Sequence, residues 1–185
     1  MSAVKLLTTA ELEAGLPAIR QAPKDAGALH LIVRRPQVDA REVLPEARLD
    51  QAEGLVGDTW KNRRSSRTED GSPHPDMQLN IMSSRAIALI AQEETRWQLA
   101  GDQLFLDLDL SQENLPAGTQ LALGTAVIEV TPQPHLGCKK FVERFGADAM
   151  KFVNSPLGRE LQLRGINAKV MQSGVIRVGD VARKL

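Results

Sequence analysis

The sequence predicts an α+β domain built on a mostly antiparallel, barrel-like β-sheet with peripheral helices. Short strand-like segments make up most of the chain, and helical segments interrupt them without the regular alternation of a doubly wound fold. No GxGxxG motif follows a predicted strand, and the sequence holds no Walker A motif. A length of 185 residues fits one domain.

The chain is expected to begin with a helical or irregular extension over residues 1–27, followed by the main domain over residues 28–185. Thr8 and Glu11 have the spacing of a capping box, and apolar residues at helical intervals follow them. Gly15 and a nearby proline shorten this first helix.

The later elements are predicted from apolar periodicity and from turn residues. Strands are expected at residues 28–33, 43–49 (interrupted at Pro45), 103–110, 121–123, 126–131, 166–171 and 175–178. Helices are expected at residues 85–99 (capped by Ser84), 141–154 (broken at Gly146) and from Pro156. The strand at 103–110 alternates and should be half-buried, and the last two strands should form a hairpin around Ser173 and Gly174.

Composition excludes several classes of protein. Basic and acidic residues number 23 each, and only 3% of residues are aromatic, so neither a strong electrostatic field nor a stacking surface for nucleic acid is expected. The sequence has no targeting segment at its N-terminus and no apolar run of membrane-spanning length, which predicts a cytoplasmic protein that does not bind membranes. One cysteine excludes an intramolecular disulfide. The oligomeric state is left open.

The sole cysteine, Cys138, is the residue most expected to carry chemistry. It follows a predicted strand and a loop rich in proline, and it stands directly before a predicted helix. The helix N-terminus and the adjacent Lys139 and Lys140 favour the thiolate, which is both a nucleophile and a soft metal ligand. The alternative is that Cys138 is a small buried hydrophobic residue.

A polar segment over residues 54–77 is longer than an ordinary connection in a compact domain. Loops of this length are usually either functional or disordered, and a functional loop is expected here. Gly54 and Gly57 at its start can bring the backbone close to a ligand, and Asp58 can act as a hydrogen-bond acceptor. The basic run over residues 61–67, which includes Arg63 and Arg64, can bind an anion. The alternative is a turn followed by a solvated charged arm.

Two further hypotheses concern the histidines. His135 and Cys138 have an H-x-x-C spacing and could form a mixed zinc site with His74 and Asp76. A Cys-His catalytic pair is the second hypothesis. Neither has support in the sequence beyond the residue types. His30, on a strand, is expected to be structural.

Several segments between Gly54 and Val181 together resemble the MOSC family, the C-terminal module of molybdenum-cofactor sulfurases. The matching segments are Gly54-Leu55-x-Gly57-Asp58, Glu113-Asn114-Leu115, Gly118-x-x-Leu121-x-x-Gly124-x-Ala126-x-x-Glu129-Val130-Thr131 leading to Cys138, Arg164-Gly165-Ile166-x-Ala168 and Gly174-x-Ile176-x-x-Gly179-Asp180. Three departures from the commoner family pattern are Thr59-Trp60 in place of Arg-His, Ser111-Gln112 in place of a glycine-containing pair, and Gly137 in place of proline.

The resemblance implies a barrel-like MOSC fold. It also implies that Cys138 is the catalytic residue, which either carries sulfur as a persulfide or ligates the molybdenum of a pterin cofactor. It also implies which other residues bind the cofactor: Gly57, Asp58, Arg63, Arg64, Glu113, Asn114, Lys139 and Arg164. Family members known as enzymes reduce N-hydroxylated compounds, and sulfurase modules receive sulfur from a separate domain.

Two functions are therefore expected from the sequence. The first is a molybdenum-cofactor protein that reduces N-hydroxylated compounds with electrons from an external redox partner. The alternative is a stand-alone sulfur carrier that holds a persulfide on Cys138 after receiving it from a cysteine desulfurase. A scaffold that has kept the fold without the activity is a third reading.

Overall fold

A computed structural model describes residues 5–185 of the chain. The helices are α1 (Thr9–Ala14), α2 (Leu16–Arg20), α3 (Ser84–Ala91), α4 (Lys139–Asn154) and α5 (Pro156–Glu160), with 3₁₀ turns at Trp60–Asn62, Pro75–Met77 and Glu94–Ala100. The strands are β1 (Ala26–Arg34), β2 (Glu42–Leu44), β3 (Glu46–Asp50), β4 (Gly54–Leu55), β5 (Leu79–Ser83), β6 (Leu104–Leu106), β7 (Gln120–Leu123), β8 (Ala126–Val130), β9 (Ile166–Gln172), β10 (Gly174–Arg177) and β11 (Val181–Lys184).

Seven strands close into a barrel. They pair in the order β11-β7-β8-β9-β5-β6-β1, and β11 pairs with β1 to complete the ring. Every pairing is antiparallel except that of β5 with β6. Strand β2 extends the sheet beside β1, and a small second sheet has the order β10-β3-β4. The predicted α+β, mostly antiparallel barrel with peripheral helices is confirmed.

The barrel has one apolar cluster inside and another between its outer face and the helices. Leu29, Ile81 and Leu106 lie in the inner cluster, and their side chains are fully buried. Met82 and Phe105 point the other way, into the cluster formed with α3 and α4. Successive residues of a strand face opposite sides, so strands β5 and β6 are buried on both faces. The prediction of a half-buried strand over residues 103–110 was therefore wrong in burial and in length.

Helix α4 starts at the cysteine and positions it. Cys138 is the N-cap residue, and its carbonyl accepts hydrogen bonds from the N–H groups of Phe141 and Val142. The helix is interrupted at Gly146, which has φ 90° and ψ 167°, as predicted. Ser155 caps α5 through the N–H of Gly158, with Pro156 in the first turn.

Several predicted boundaries are corrected by the structure. Strands β9 and β10 do not form a hairpin, because the chain crosses from the barrel to the second sheet at Ser173. Ser83, rather than Ser84, caps α3. This helix ends at Ala91 and not at the predicted residue 99, because Gln92 leaves the helical conformation with φ 62°. Strand β1 begins at Ala26, before the predicted boundary of the extension.

No helix within residues 5–185 has both the length and the apolar character needed to cross a membrane.

Candidate functional site

A cavity of about 610 Å³ opens beside the start of α4. Its walls come from the loop after β1, the polar segment, strand β5, the loop before β6 and the first turns of α4. The residues that line it are Arg35, Val38, Asp39, Arg41, Asn62, Arg63, Arg64, Asn80, Ala100, Gly101, His135, Cys138, Lys140, Phe141, Arg144 and Arg164. Four of the predicted site residues, Arg63, Arg64, Cys138 and Arg164, thus share one cavity.

The thiol of Cys138 is exposed at this cavity. Its side chain makes no capping hydrogen bond to the helix that it starts. The preceding glycine anchors the loop, because the Gly137 N–H donates to Oδ1 of Asn154 at 3.1 Å, and a Cβ on Gly137 would lie 2.4 Å from Sδ of Met150. The exposure of Cys138 argues against the reading that it is a buried hydrophobic residue.

The floor of the cavity includes a buried ion pair between Arg35 and Asp58. Nε of Arg35 donates to Oδ2 of Asp58 at 2.8 Å, and Nη2 donates to Oδ1 at 2.9 Å. Nη1 of Arg35 also donates to Oδ1 of Asn80 and to the carbonyl of Gly101. Asp58 is therefore fully engaged with the protein and fixes an arginine beneath the cavity, a role that differs from the predicted contact with the cofactor.

A second buried network joins Asp102 to Arg164 and His135. Nη1 of Arg164 lies 2.6 Å from Oδ2 of Asp102, and Nε2 of His135 lies 2.8 Å from Oδ1. Burial raises the pKa of Asp102, but the charges and hydrogen bonds of Arg164 and His135 outweigh it and hold this pKa at about 2. Arg164 also stacks over the ring of Phe141, with Cζ 5.0 Å from the ring centroid.

The His135 network predicts a loss of stability in acid. Burial and the charge of Arg164 lower the pKa of His135 from its ordinary value of 6.5, and Asp102 only partly opposes them. The unfolded chain then binds the proton more tightly than the folded one. The stabilisation is present above pH 6.5 and is lost as the pH falls from 6.5 toward the folded-state pKa. The contribution of Asp102 to stability is lost only as the pH falls from 3.8 to about 2.

We therefore expect His135→Gln to flatten the decline of the unfolding free energy just below pH 6.5. A single titrating side chain changes the unfolding free energy by at most about 1.4 kcal/mol per pH unit. Urea titrations of both proteins across this range measure the difference, and His30→Gln, at an exposed histidine, is the matched control. Equal slopes in wild type and His135→Gln would contradict the assignment.

The cavity carries more positive charge than its own carboxylates neutralise. Arg35 and Arg164 are paired as described, and Asp39 pairs with Lys140 at 2.6 Å and with Arg144 at 3.3 Å. The described part of the chain provides no salt-bridge partner for three other lining residues, Arg41, Arg63 and Arg64. Burial and the nearby charges of Arg144 and Arg35 lower the pKa of Arg41, which is the response expected where cations crowd together.

The remaining predicted residues lie outside this cavity. Glu113 lines a separate cavity of about 330 Å³ near α2. Asn114 is a structural residue of that turn, because its Nδ2 donates to the carbonyls of Lys24 and Asp109. Gly57 lies in a turn with φ 83°, where a Cβ would lie 3.0 Å from the side chain of Arg34. Lys139 is exposed beside the thiol, and the cavity wall at this turn is formed by Lys140.

The mixed zinc site is not formed among residues 5–185, because no group of three histidine, cysteine or carboxylate side chains lies close enough to hold a metal ion. Nδ1 of His74 accepts a hydrogen bond from the N–H of Asp76, and His135 is paired with Asp102. His30 lies beside Trp97, with ring centroids 6.5 Å apart, which fits the expected structural role.

Solved structures with a similar fold place this barrel among known proteins. YuaD from Bacillus subtilis superposes with a TM-score of 0.63 at 16% identity, covering 85% of this chain and 94% of YuaD. The chain has a MOSC-type fold. YiiM from Escherichia coli superposes with a TM-score of 0.55 at 18% identity, covering 85% of this chain and 69% of that YiiM chain. YiiM from Geobacillus stearothermophilus superposes with a TM-score of 0.53 at 15% identity, covering 86% of this chain and 73% of that YiiM chain. No protein-family model and no curated protein sequence matches the chain.

Proposed function

We propose that the cavity of this MOSC-fold protein holds a molybdenum-pterin cofactor with Cys138 as a thiolate ligand, and that the protein reduces N-hydroxylated compounds. The observation that carries the proposal is the position of the only thiol. It is exposed at a cavity that contains three arginines for which residues 5–185 provide no carboxylate partner. An external redox partner supplies the electrons in this proposal.

Two properties of the cavity fit an anionic pterin. Its volume of about 610 Å³ lies within the range of roughly 300 to 1,000 Å³ that small-molecule and cofactor sites occupy. Nε of Arg164 is the only buried side-chain polar atom without a hydrogen-bond partner among residues 5–185, and Arg164 itself is only 5% exposed. A buried donor left without a partner costs stability, so a function for it is expected.

Each group of side chains has a distinct role in this proposal. Arg41, Arg63 and Arg64 bind the phosphate of the cofactor, because guanidinium groups match the geometry of phosphate oxygens. The buried pairs beneath them keep Arg35 and Arg164 in fixed positions, so little reorganisation is needed on binding. Cys138 provides the soft sulfur ligand that a transition metal binds well. When bound, the cofactor supplies two-electron reduction.

The test is metal and pterin analysis of the protein purified from a host that makes the molybdenum cofactor. We expect molybdenum and pterin in the wild type, and a molybdenum content reduced to a small fraction in Cys138→Ser. The fold should be retained, because substitution of an exposed residue usually changes stability by less than about 0.5 kcal/mol. Leu136→Ser, at an exposed position of the same loop outside the cavity lining, is the control and should keep its molybdenum. Wild type free of molybdenum would contradict the proposal.

A sulfur-carrier function is the second candidate, favoured by the exposure of the thiol and its lack of a capping hydrogen bond. In this reaction the Cys138 thiolate attacks the outer sulfur of a persulfide on a cysteine desulfurase. The donor's S–S bond breaks as the new one forms, and the donor leaves as a thiolate, so no external oxidant is needed. Mass spectrometry after incubation with the desulfurase and free cysteine tests it. One added sulfur on Cys138 supports the carrier, and an unmodified Cys138 contradicts it.

A further inference from the structure

A small side pocket of about 120 Å³ adjoins the main cavity. The two share Arg35, Arg63, Arg64 and Asn80 as walls. The remaining walls of the side pocket are Trp60, Ser65, Pro73, His74 and Met77. A group bound in this pocket would therefore lie beside the cavity that Cys138 faces.

Trp60 is the aromatic residue in the wall of the pocket and is held in place. Its backbone N–H donates to Oδ1 of Asp58 at 3.0 Å, and its indole Nε1 donates to the carbonyl of His74 at 3.3 Å. The indole also packs against Gly54, where a Cβ would lie 3.6 Å from Cε3. Trp60 remains partly exposed, so a fixed aromatic surface is available to a ligand.

The size of the side pocket selects a single ring. An engineered apolar cavity of about 150 Å³ binds benzene, and cofactor sites occupy roughly 300 Å³ or more. At about 120 Å³ the side pocket is close in volume to the cavity that binds benzene, and it is too small for a whole cofactor. Trp60 and Met77 provide apolar and polarizable contact for such a ring.

Two arginines in the walls of the pocket can also contact an aromatic ring. Arg63 and Arg64 have no carboxylate partner in the described chain, and a guanidinium is attracted to the face of an aromatic ring. A saturated ring of the same size has no such face. An aromatic ring therefore fits these walls better than a saturated ring of the same size.

We propose that this pocket, the aryl pocket, binds the aromatic ring of the substrate, with Trp60 as the residue that determines specificity. The substrates are then compounds in which one aromatic ring carries a compact polar head, and the head extends into the main cavity. This inference rests on the proposed function for the reaction itself, but the binding of the ring does not require the cofactor.

Binding of benzamide and of cyclohexanecarboxamide, an aromatic amide and its saturated counterpart, tests the aryl pocket. Trp60 and Trp97 are the only tryptophans, so Trp97→Phe leaves Trp60 as the sole fluorescent reporter. We expect benzamide to quench the fluorescence and to bind about three- to tenfold more tightly than its counterpart. Isothermal titration should show that Trp60→Leu loses this preference, whereas Trp60→Phe, which keeps a ring, retains it.

Three results would overturn the inference. Equal affinities for the two amides, or an unchanged preference in folded Trp60→Leu, would show that Trp60 does not select a ring. Loss of benzamide binding in the molybdenum-loaded protein would assign the pocket to the cofactor instead of the substrate. Benzamide binding by a protein that takes up no molybdenum would keep the aryl pocket and refute only the proposed redox function.

Discussion

Asp102→Ala is expected to lower the free energy of unfolding by about 3–5 kcal/mol, the usual cost of removing one partner from a buried ion pair. Asp102 is fully buried, and among residues 5–185 it is the only carboxylate that pairs with Arg164. Without it the guanidinium remains buried with its positive charge unpaired, and His135 loses the acceptor for its ring nitrogen. Urea denaturation followed by circular dichroism measures the change.

Asp39→Ala is the matched control, because this carboxylate also pairs with cationic residues of the cavity but is 60% exposed. Exposed ion pairs contribute about 1 kcal/mol or less. The loss of unfolding free energy in Asp102→Asn should lie between those of Asp102→Ala and Asp39→Ala. The amide keeps the shape of the carboxylate and part of its hydrogen bonding, but not its charge. A loss below about 1 kcal/mol for Asp102→Ala would show that the network of Asp102, Arg164 and His135 does not stabilise the fold.

Replacing Arg63 and Arg64 together by methionine is expected to weaken the binding of a pterin monophosphate by about 100- to 10,000-fold. Hydrogen bonds to charged groups contribute roughly 1.5–3 kcal/mol each, and the double substitution removes at least two of them. The fold should tolerate the change, because both side chains are exposed. Isothermal titration of cofactor-free protein with the pterin monophosphate measures the affinity.

Arg183→Met is the control for this pair, because Arg183 is an exposed cation on β11 and lines neither of the two pockets. It should leave the affinity within about twofold of the wild type. Added salt should weaken binding to the wild type and affect the double variant less, since the electrostatic part of the interaction has been removed. Equal affinity in the double variant and the wild type would exclude these arginines from phosphate binding.

The fold was predictable where local patterns and spacing determine it. The break of α4 at Gly146 and the cap of α5 at Ser155 follow from local residue types, and both are found where expected. The pairing of β9 and β10 was not predictable in this way. Nearness in sequence favours a hairpin, but β10 pairs with β3, more than a hundred residues earlier in the chain. Such long-range pairing depends on the packing of the whole barrel and leaves no local signal.

The site was predictable only in part for the same reason. Cys138, Arg63 and Arg64 were identified from their local context, and Arg164 from the family resemblance. Arg41, Arg144 and the central carboxylate Asp102 were missed, because they come from three separate elements that only the folded barrel brings together. A cluster of basic residues at the end of β1 was the one signal for Arg35. The Glu113-Asn114 turn, expected from the resemblance at the cofactor pocket, lies outside this cavity.

X-ray absorption at the molybdenum K-edge is the most direct test that Cys138 binds the metal. Spectra are compared for the wild type, for the molybdenum-loaded fraction of Cys138→Ser and for Leu136→Ser as the loop control. We expect one sulfur ligand fewer in Cys138→Ser than in the other two proteins, replaced by a lighter atom. An identical sulfur count in all three would show that the metal is held by the pterin alone and that Cys138 is not its ligand.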